Sequence, residues 1–471
     1  MVSFYEFLHR KTNEFYMGRL YPVIVCLLIC VGQITAKEHI TIPINVLLAC
    51  GALLVCSSIR PIITILCAFV YSLSRENAFF GSSSSDFFFT GWRVVAFWVL
   101  LTVVVVSFIS FFRRNSFFKR VGLGKTPLLL PLILLCAAFL LNGVRSGEWV
   151  SGSLLYGFLQ VVAYGFVFVI FYHGFSDEES SQELADYFAY VGVLISLVLI
   201  AEMAAVYITN GVFIDGVIHR ENIKFGWGIG NTAGIYLNLL VPLGFYATYR
   251  SRRLAIPYFI VTTLTYAAAI FTISRNALLF GTASYFIILL IFCFVGEKKK
   301  FFRIWALIIV AAAAVAFALY HDQILTAFKS YVDRGMDDSS RFSIWQTAWE
   351  RFKENPIFGN GFRGLLFESG SAVSFIPIMS HNTVFQILFS MGLVGFCSYA
   401  LYRLCTLAPF FKRPSIMKCM LGALILVILG ESLLDNFVFH IQPMFYYSIA
   451  LAIVYRSHKH DVAAKARGRR R

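Results

Sequence analysis

GWRVVAFWVLLTVVVVSFISFF, residues 91–112, carries a single charge, Arg93, and runs directly into Arg113-Arg114. A run of this length, apolar on every face, is long enough to cross a hydrocarbon core of about 30 Å as a helix, which satisfies its own backbone hydrogen bonds where water cannot. The pattern recurs near 20–36, 41–58, 61–74, 126–142, 153–173, 187–208, 229–249, 254–273, 277–295, 304–320, 383–407, 416–434 and 438–455. The expected fold class is therefore an all-α polytopic membrane protein with about fourteen transmembrane helices.

Composition points the same way. Of 471 residues, 59% are hydrophobic and 14% charged, with a mean hydropathy of +0.74, which excludes an ordinary soluble protein. The 40 Lys and Arg outnumber 25 Asp and Glu for a net charge of +15. In a soluble chain that excess would point to nucleic acid; here it sorts by side of the bilayer, and no nucleic-acid partner is called for. With Arg10, Lys11 and Arg19 cytoplasmic, the same side receives Arg113-Arg114, Lys119-Arg120, Arg250, Arg252, Arg253, Lys298 to Lys300, Lys412-Arg413 and Arg469 to Arg471. Both termini are then expected inside the cell, at the cytoplasmic membrane. The first apolar run lacks a small-residue cleavage site and leads into further spans, so a cleaved signal peptide is not expected. The ten cysteines lie in or beside apolar runs without CxxC or Cys/His pairs, which supports neither a disulfide framework nor zinc.

This reading divides the chain into transmembrane helices over 1–320, a long external loop over 321–382, further transmembrane helices over 383–455 and a basic cytoplasmic tail over 456–471. A loop of about sixty residues far exceeds the usual connection, and such loops commonly carry function. Within it, Trp345, Ala348, Trp349 and Phe352 recur at helical spacing behind an Asp338/Ser339 cap, predicting an amphipathic helix that stops before Asn355-Pro356. Arg341 stands at the start of that helix, where a cation opposes the macrodipole; an anion recruited there would be held by free N–H groups and guanidinium together. The glycines of Pro356-Ile-Phe-Gly359-Asn-Gly361 permit a tight reversal and close backbone approach. Gly226-Trp-Gly228-Ile-Gly230 follows no strand and enters a span, so it is not read as a nucleotide fingerprint. Arg275 separates two apolar runs at the external side, and His381 stands at a helix N-terminus on that side, where it could serve as a base. Glu202, Glu431 and Asp435 are boundary charges whose partners the sequence does not reveal.

Taken in order, Ser274-Arg275, Arg341-x3-Trp345, Pro356-x2-Gly359-x-Gly361 and His381-Asn382 followed by Gly392-x2-Gly395 resemble the bacterial O-antigen ligase family and its polymerase relatives, integral membrane glycosyltransferases. The resemblance implies a metal-independent, inverting enzyme without cofactor. Its partners would be the lipid bilayer, an undecaprenyl-diphosphate-linked glycan donor and an acceptor hydroxyl, on a lipid A core sugar for a ligase or on another glycan for a polymerase. It also implies roles: His381 activates the acceptor, Arg275 and Arg341 hold the diphosphate, and Arg220, Arg363 and Asn382 contact substrate. Ligases often carry Thr after the second glycine of GxxG, where this chain has Phe396, so ligase and polymerase both stay open. Two readings from other classes are a transporter or flippase of lipid-linked substrates, motivated by the many spans with Glu202 and Glu431, and an envelope scaffold.

Overall fold

The computed structural model describes residues 4–72, 91–122, 124–145, 152–174, 180–214, 217–219, 222–336, 339–361 and 380–468. Over these the chain is mostly helical. The helices are α1 (Phe4–Met17), α2 (Leu20–Thr35), α3 (Glu38–Val55), α4 (Ile62–Ser72), α5 (Arg93–Arg114), α6 (Phe117–Arg120), α7 (Leu129–Arg145), α8 (Gly152–Val161), α9 (Val167–His173), α10 (Ser181–Thr209), α11 (Gly230–Arg250), α12 (Ala255–Phe271), α13 (Arg275–Phe294), α14 (Lys299–Met336), α15 (Ser339–Glu354), α16 (Thr383–Leu407), α17 (Ile416–Glu431) and α18 (Ile441–Gly468). A π-helical turn, Val162–Phe166, joins α8 to α9, and a 3-10 turn, Phe437–Phe439, precedes α18.

Every apolar run is helical over most of its length. Among the described residues, six helices are long and apolar enough to cross a membrane: Glu38–Val55, Arg93–Arg114, Ser181–Thr209, Arg275–Phe294, Lys299–Asp322 and Thr383–Leu407. A seventh arises if α1 and α2, bent by 62°, form one span. Others are short, such as α12, or polar enough to need protein around them. The clearest case is α11, whose Ala233 to Thr248 are all buried, and which packs on α10, α12, α13 and α17. Hydropathy registers that such a helix avoids water; it does not distinguish lipid from neighbouring helices.

Small residues let these helices approach closely. Asn238 on α11 faces Gly281 on α13 and donates its Nδ2 to Ala277 O (2.9 Å) and to Glu431 Oε1 of α17 (2.7 Å). Glu202 on α10 accepts from Trp227 Nε1 at 3.0 Å. Gly226 and Trp227 form the turn of a short antiparallel hairpin, β3 (Lys224–Phe225) with β4 (Gly228–Ile229), while β1 (Phe213–Ile214) pairs with β2 (Val217–Ile218). The expected loop start at 321 coincides with a break in α14, where Tyr320 is non-helical; the helix then resumes to Met336.

A side chain at Gly281 would collide with Asn238, so Gly281→Val should destabilise the bundle by about 1–3 kcal/mol through overpacking. Thermal unfolding in detergent checks this, with Leu290→Ala, on a side chain 60% exposed, expected to change little.

Candidate active site

The site is assembled where a helix is broken. Inside α16, Gly392 takes φ 61 and ψ −162, so the regular bonds from the N–H groups of Leu393 and Val394 to the carbonyls of Phe389 and Ser390 are interrupted. The segment after α15 fills the gap group for group. Leu393 N–H donates to Pro356 O (2.8 Å) and Val394 N–H to Ile357 O (3.1 Å), while Asn360 N–H donates to Phe389 O and Gly361 N–H to Ser390 O, both at 2.9 Å. A Cβ on Gly359 would strike the Ser390 carbonyl, and one on Gly392 would lie 2.5 Å from Ile357 O. The two glycine motifs are thus the halves of one joint. Asn360 secures it further, donating Nδ2 to Arg351 O (2.7 Å) and accepting from Asn355 Nδ2 (2.8 Å).

This joint and α15 fix the loop over α16. Ala348 and Phe389 are buried together, Trp345 stacks on Phe385 with centroids 5.6 Å apart, and Trp345 Nε1 donates to Ser380 O at 2.8 Å. The amphipathic helix ends before Asn355-Pro356 as expected, but its inner face is Ile344, Trp345, Ala348 and Phe352. Trp349 is 41% exposed, because at 100° per residue it falls at the edge of that stripe. Arg341 lies one turn, about 6 Å along the axis, before Trp345.

Ser380 leads into His381, whose backbone is left-handed (φ 50). Such a conformation persists in a non-glycine residue when its surroundings determine it. Here Ser380 N–H donates to Gln386 Oε1 and Ser380 Oγ to Asn382 O, both at 2.8 Å. Asn382 is the N-cap of α16: its Oδ1 accepts from the N–H groups of Val384 (2.8 Å) and Phe385 (3.2 Å), and its Nδ2 donates to Leu433 O (2.8 Å). This is the amide expected to touch substrate.

His381 turns its Nδ1 to Asp435 Oδ1 at 3.2 Å. The His381 side chain is 39% exposed and that of Asp435 13%, so the ring opens outward while its partner is enclosed. Burial pushes the Asp435 carboxyl up, but the His381 ring, the Asn436 N–H (2.8 Å) and His440 outweigh it and hold it below its ordinary value. An ionised Asp435 accepting from Nδ1–H leaves Nε2 as the ring's acceptor.

Asp435 sits in a turn after α17 that also seats the start of α13. Asn276 Nδ2 donates to Leu434 O (3.2 Å), and Thr383 N–H to Ser432 O (3.0 Å). Ser274 caps α13 by accepting from Ala277 N–H, which puts Arg275 in the first turn of that helix. The structure thus brings Arg275 and His381 to helix N-termini on two sides of one turn, with Arg341 tied in through Trp345 and Ser380. Arg220 and Arg363 lie outside the described residues. Asp435 is the residue whose role sequence reasoning missed; its signal was a carboxylate in a short gap between apolar runs, on the side expected for His381.

Residues 259–400 match the family model for O-antigen ligase. Over this segment the chain is similar to the O-antigen ligase family. The matched segment contains Arg275, Arg341, the whole glycine joint and His381, and ends before Asp435. The chain matches no curated protein and no solved structure.

Gly392→Ala and Gly359→Ala should each unseat the loop, since a methyl group would meet backbone at a positive φ. The expected result is faster proteolytic cleavage between residues 354 and 380, with the rest of the bundle intact on a gel.

Proposed function

We propose that this protein is a glycosyltransferase of the ligase type, moving a glycan from undecaprenyl diphosphate to an acceptor hydroxyl on a lipid A core sugar at the external face of the cytoplasmic membrane. The observation that carries the reading is the His381–Asp435 pair beside two helix N-termini that bear or adjoin Arg275 and His381. In the reaction, His381 Nε2 takes the proton of the acceptor hydroxyl as its oxygen attacks the anomeric carbon. The bond from that carbon to the diphosphate oxygen breaks, and the diphosphate leaves with the electron pair. Asp435 holds the imidazole in orientation and stabilises the imidazolium. Arg275 and Arg341, with the positive end of the α13 dipole, bind the diphosphate and take up its growing charge, the work a divalent cation does elsewhere, so no metal is called for. Attack from the side opposite the diphosphate inverts the anomeric centre.

Arg220 and Arg363 are assigned to the same external surface as further contacts to phosphate or sugar, and Asn382 to positioning His381. The reading keeps the arrangement of about fourteen membrane-associated helices with both termini cytoplasmic, in which broken and protein-enclosed helices complete the bundle. A polymerase that uses a second lipid-linked glycan as acceptor is the alternative favoured by Phe396, where ligases often have Thr.

His381→Ala should lower transfer by about 10²–10⁴-fold, and Asp435→Asn by on the order of 10²-fold, each without loss of folded protein. Arg341→Lys should cost about tenfold or more, because an ammonium cannot replace a bidentate guanidinium. The test is the glycan profile of a deletion strain complemented with wild type or His381→Ala. Long polymer stranded on its lipid carrier marks a ligase, and single repeats mark a polymerase. A wild-type profile from His381→Ala contradicts the catalytic reading.

A further inference from the structure

At the far end of α17 from His381, the chain forms a partly open cavity. Ser415 caps the N-terminus of α17, and Asp435 follows its C-terminus, so the two places are about 24 Å apart along the helix. The cavity measures about 330 Å³ and is lined by Ser181, Gln182, Arg413, Ser415, Lys418 and Ser457. Such a volume holds about ten waters.

Its walls are set up for an anion. Two helices of 29 and 16 residues, α10 and α17, begin there and turn the positive ends of their dipoles to it. Lys418 is 2% exposed, and its Nζ donates to Lys412 O (3.0 Å) and Arg413 O (3.3 Å), fixing the ammonium in the wall. Arg413 has a left-handed backbone (φ 50) that presents it at the rim.

Ser181 gives the independent indication of a ligand. It is only 7% exposed, and its Oγ has no hydrogen-bond partner among the described residues. A serine within a helix usually turns its hydroxyl to the carbonyl one turn earlier; in the first turn of α10 no helical carbonyl precedes it. Among the described residues, Glu183 accepts from Ser180 N–H in a capping box, and Asp186 takes Arg250 at 2.9 Å; neither lines the cavity.

We infer that this cavity binds a phosphate group through Ser181 Oγ, the first N–H groups of α10 and α17, Arg413 and Lys418. The phosphate belongs either to a membrane lipid headgroup or to a soluble phosphate compound; the same donors suit both. The inference does not depend on the glycosyl-transfer reading.

The test uses the full-length protein in nanodiscs of zwitterionic phosphatidylcholine. In one arm its melting temperature is followed against inorganic phosphate, with sodium chloride at matched ionic strength; in the other, phosphatidylglycerol replaces part of the lipid without added phosphate. Saturable stabilisation in the first arm identifies soluble phosphate, and in the second a lipid headgroup. Arg413→Gln should weaken the response about tenfold, as expected for a lost charge-assisted bond. Ser181→Ala should weaken it several-fold yet melt no lower than wild type without ligand, because it removes an unpaired buried hydroxyl. Equal shifts with chloride, no shift in either arm, or variants that respond like wild type would overturn the inference.

Discussion

Two N–H groups and two carbonyls stand open where α16 breaks at Gly392, and the backbone of Pro356 to Gly361 closes all four. In a membrane bundle an unpaired backbone group has no water to turn to, so irregular structure survives only when protein supplies the partners. The break therefore needs the loop, and the loop gains a fixed seat. Ile357 and Phe358 remain 57% and 43% exposed around that seat, side chains suited to an apolar surrounding. Everything after depends on this lock: α15 lies along α16, Trp345 reaches Ser380, and His381 is held where Asp435 can meet it.

A second constraint works from the other side. The turn after α17 accepts hydrogen bonds from Asn276, Asn382 and Thr383, so the starts of α13 and α16 are both fixed to it. Asn238 bonds Glu431 one residue before the turn, anchoring it to the most buried helix of the bundle. A rigid turn of this kind lets an enclosed carboxylate orient a partly exposed imidazole, which is the division of labour that general-base chemistry needs. It also puts helix dipoles and arginine side chains around one opening, where an anionic leaving group would be stabilised.

Much of this was legible in the sequence, and the reasons are local. Apolar runs reported helices because lipid and protein interiors both exclude water, and His381 was placed at a helix start because the apolar run from 383 begins just after it. Asn355-Pro356 reported the end of α15 for an equally local reason. What stayed hidden was nonlocal. Nothing in Pro356-x2-Gly359-x-Gly361 names Gly392 as its partner, since the contact is made by backbone atoms that every residue has. Asp435 could be placed on the correct side but not against His381, 54 positions away. Which helices cross the bilayer was equally nonlocal, because a helix such as α11 is enclosed by neighbours that its own sequence does not name.

Hydrogen exchange on the full-length protein in nanodiscs tests the lock most directly. Peptides covering 356–361 and 389–394 should be protected to a similar degree, at a level comparable with α11, because their amides are donated across the joint. Exchange of 356–361 at the rate of an open loop, with 389–394 protected as in an unbroken helix, would contradict the joint and the site built upon it.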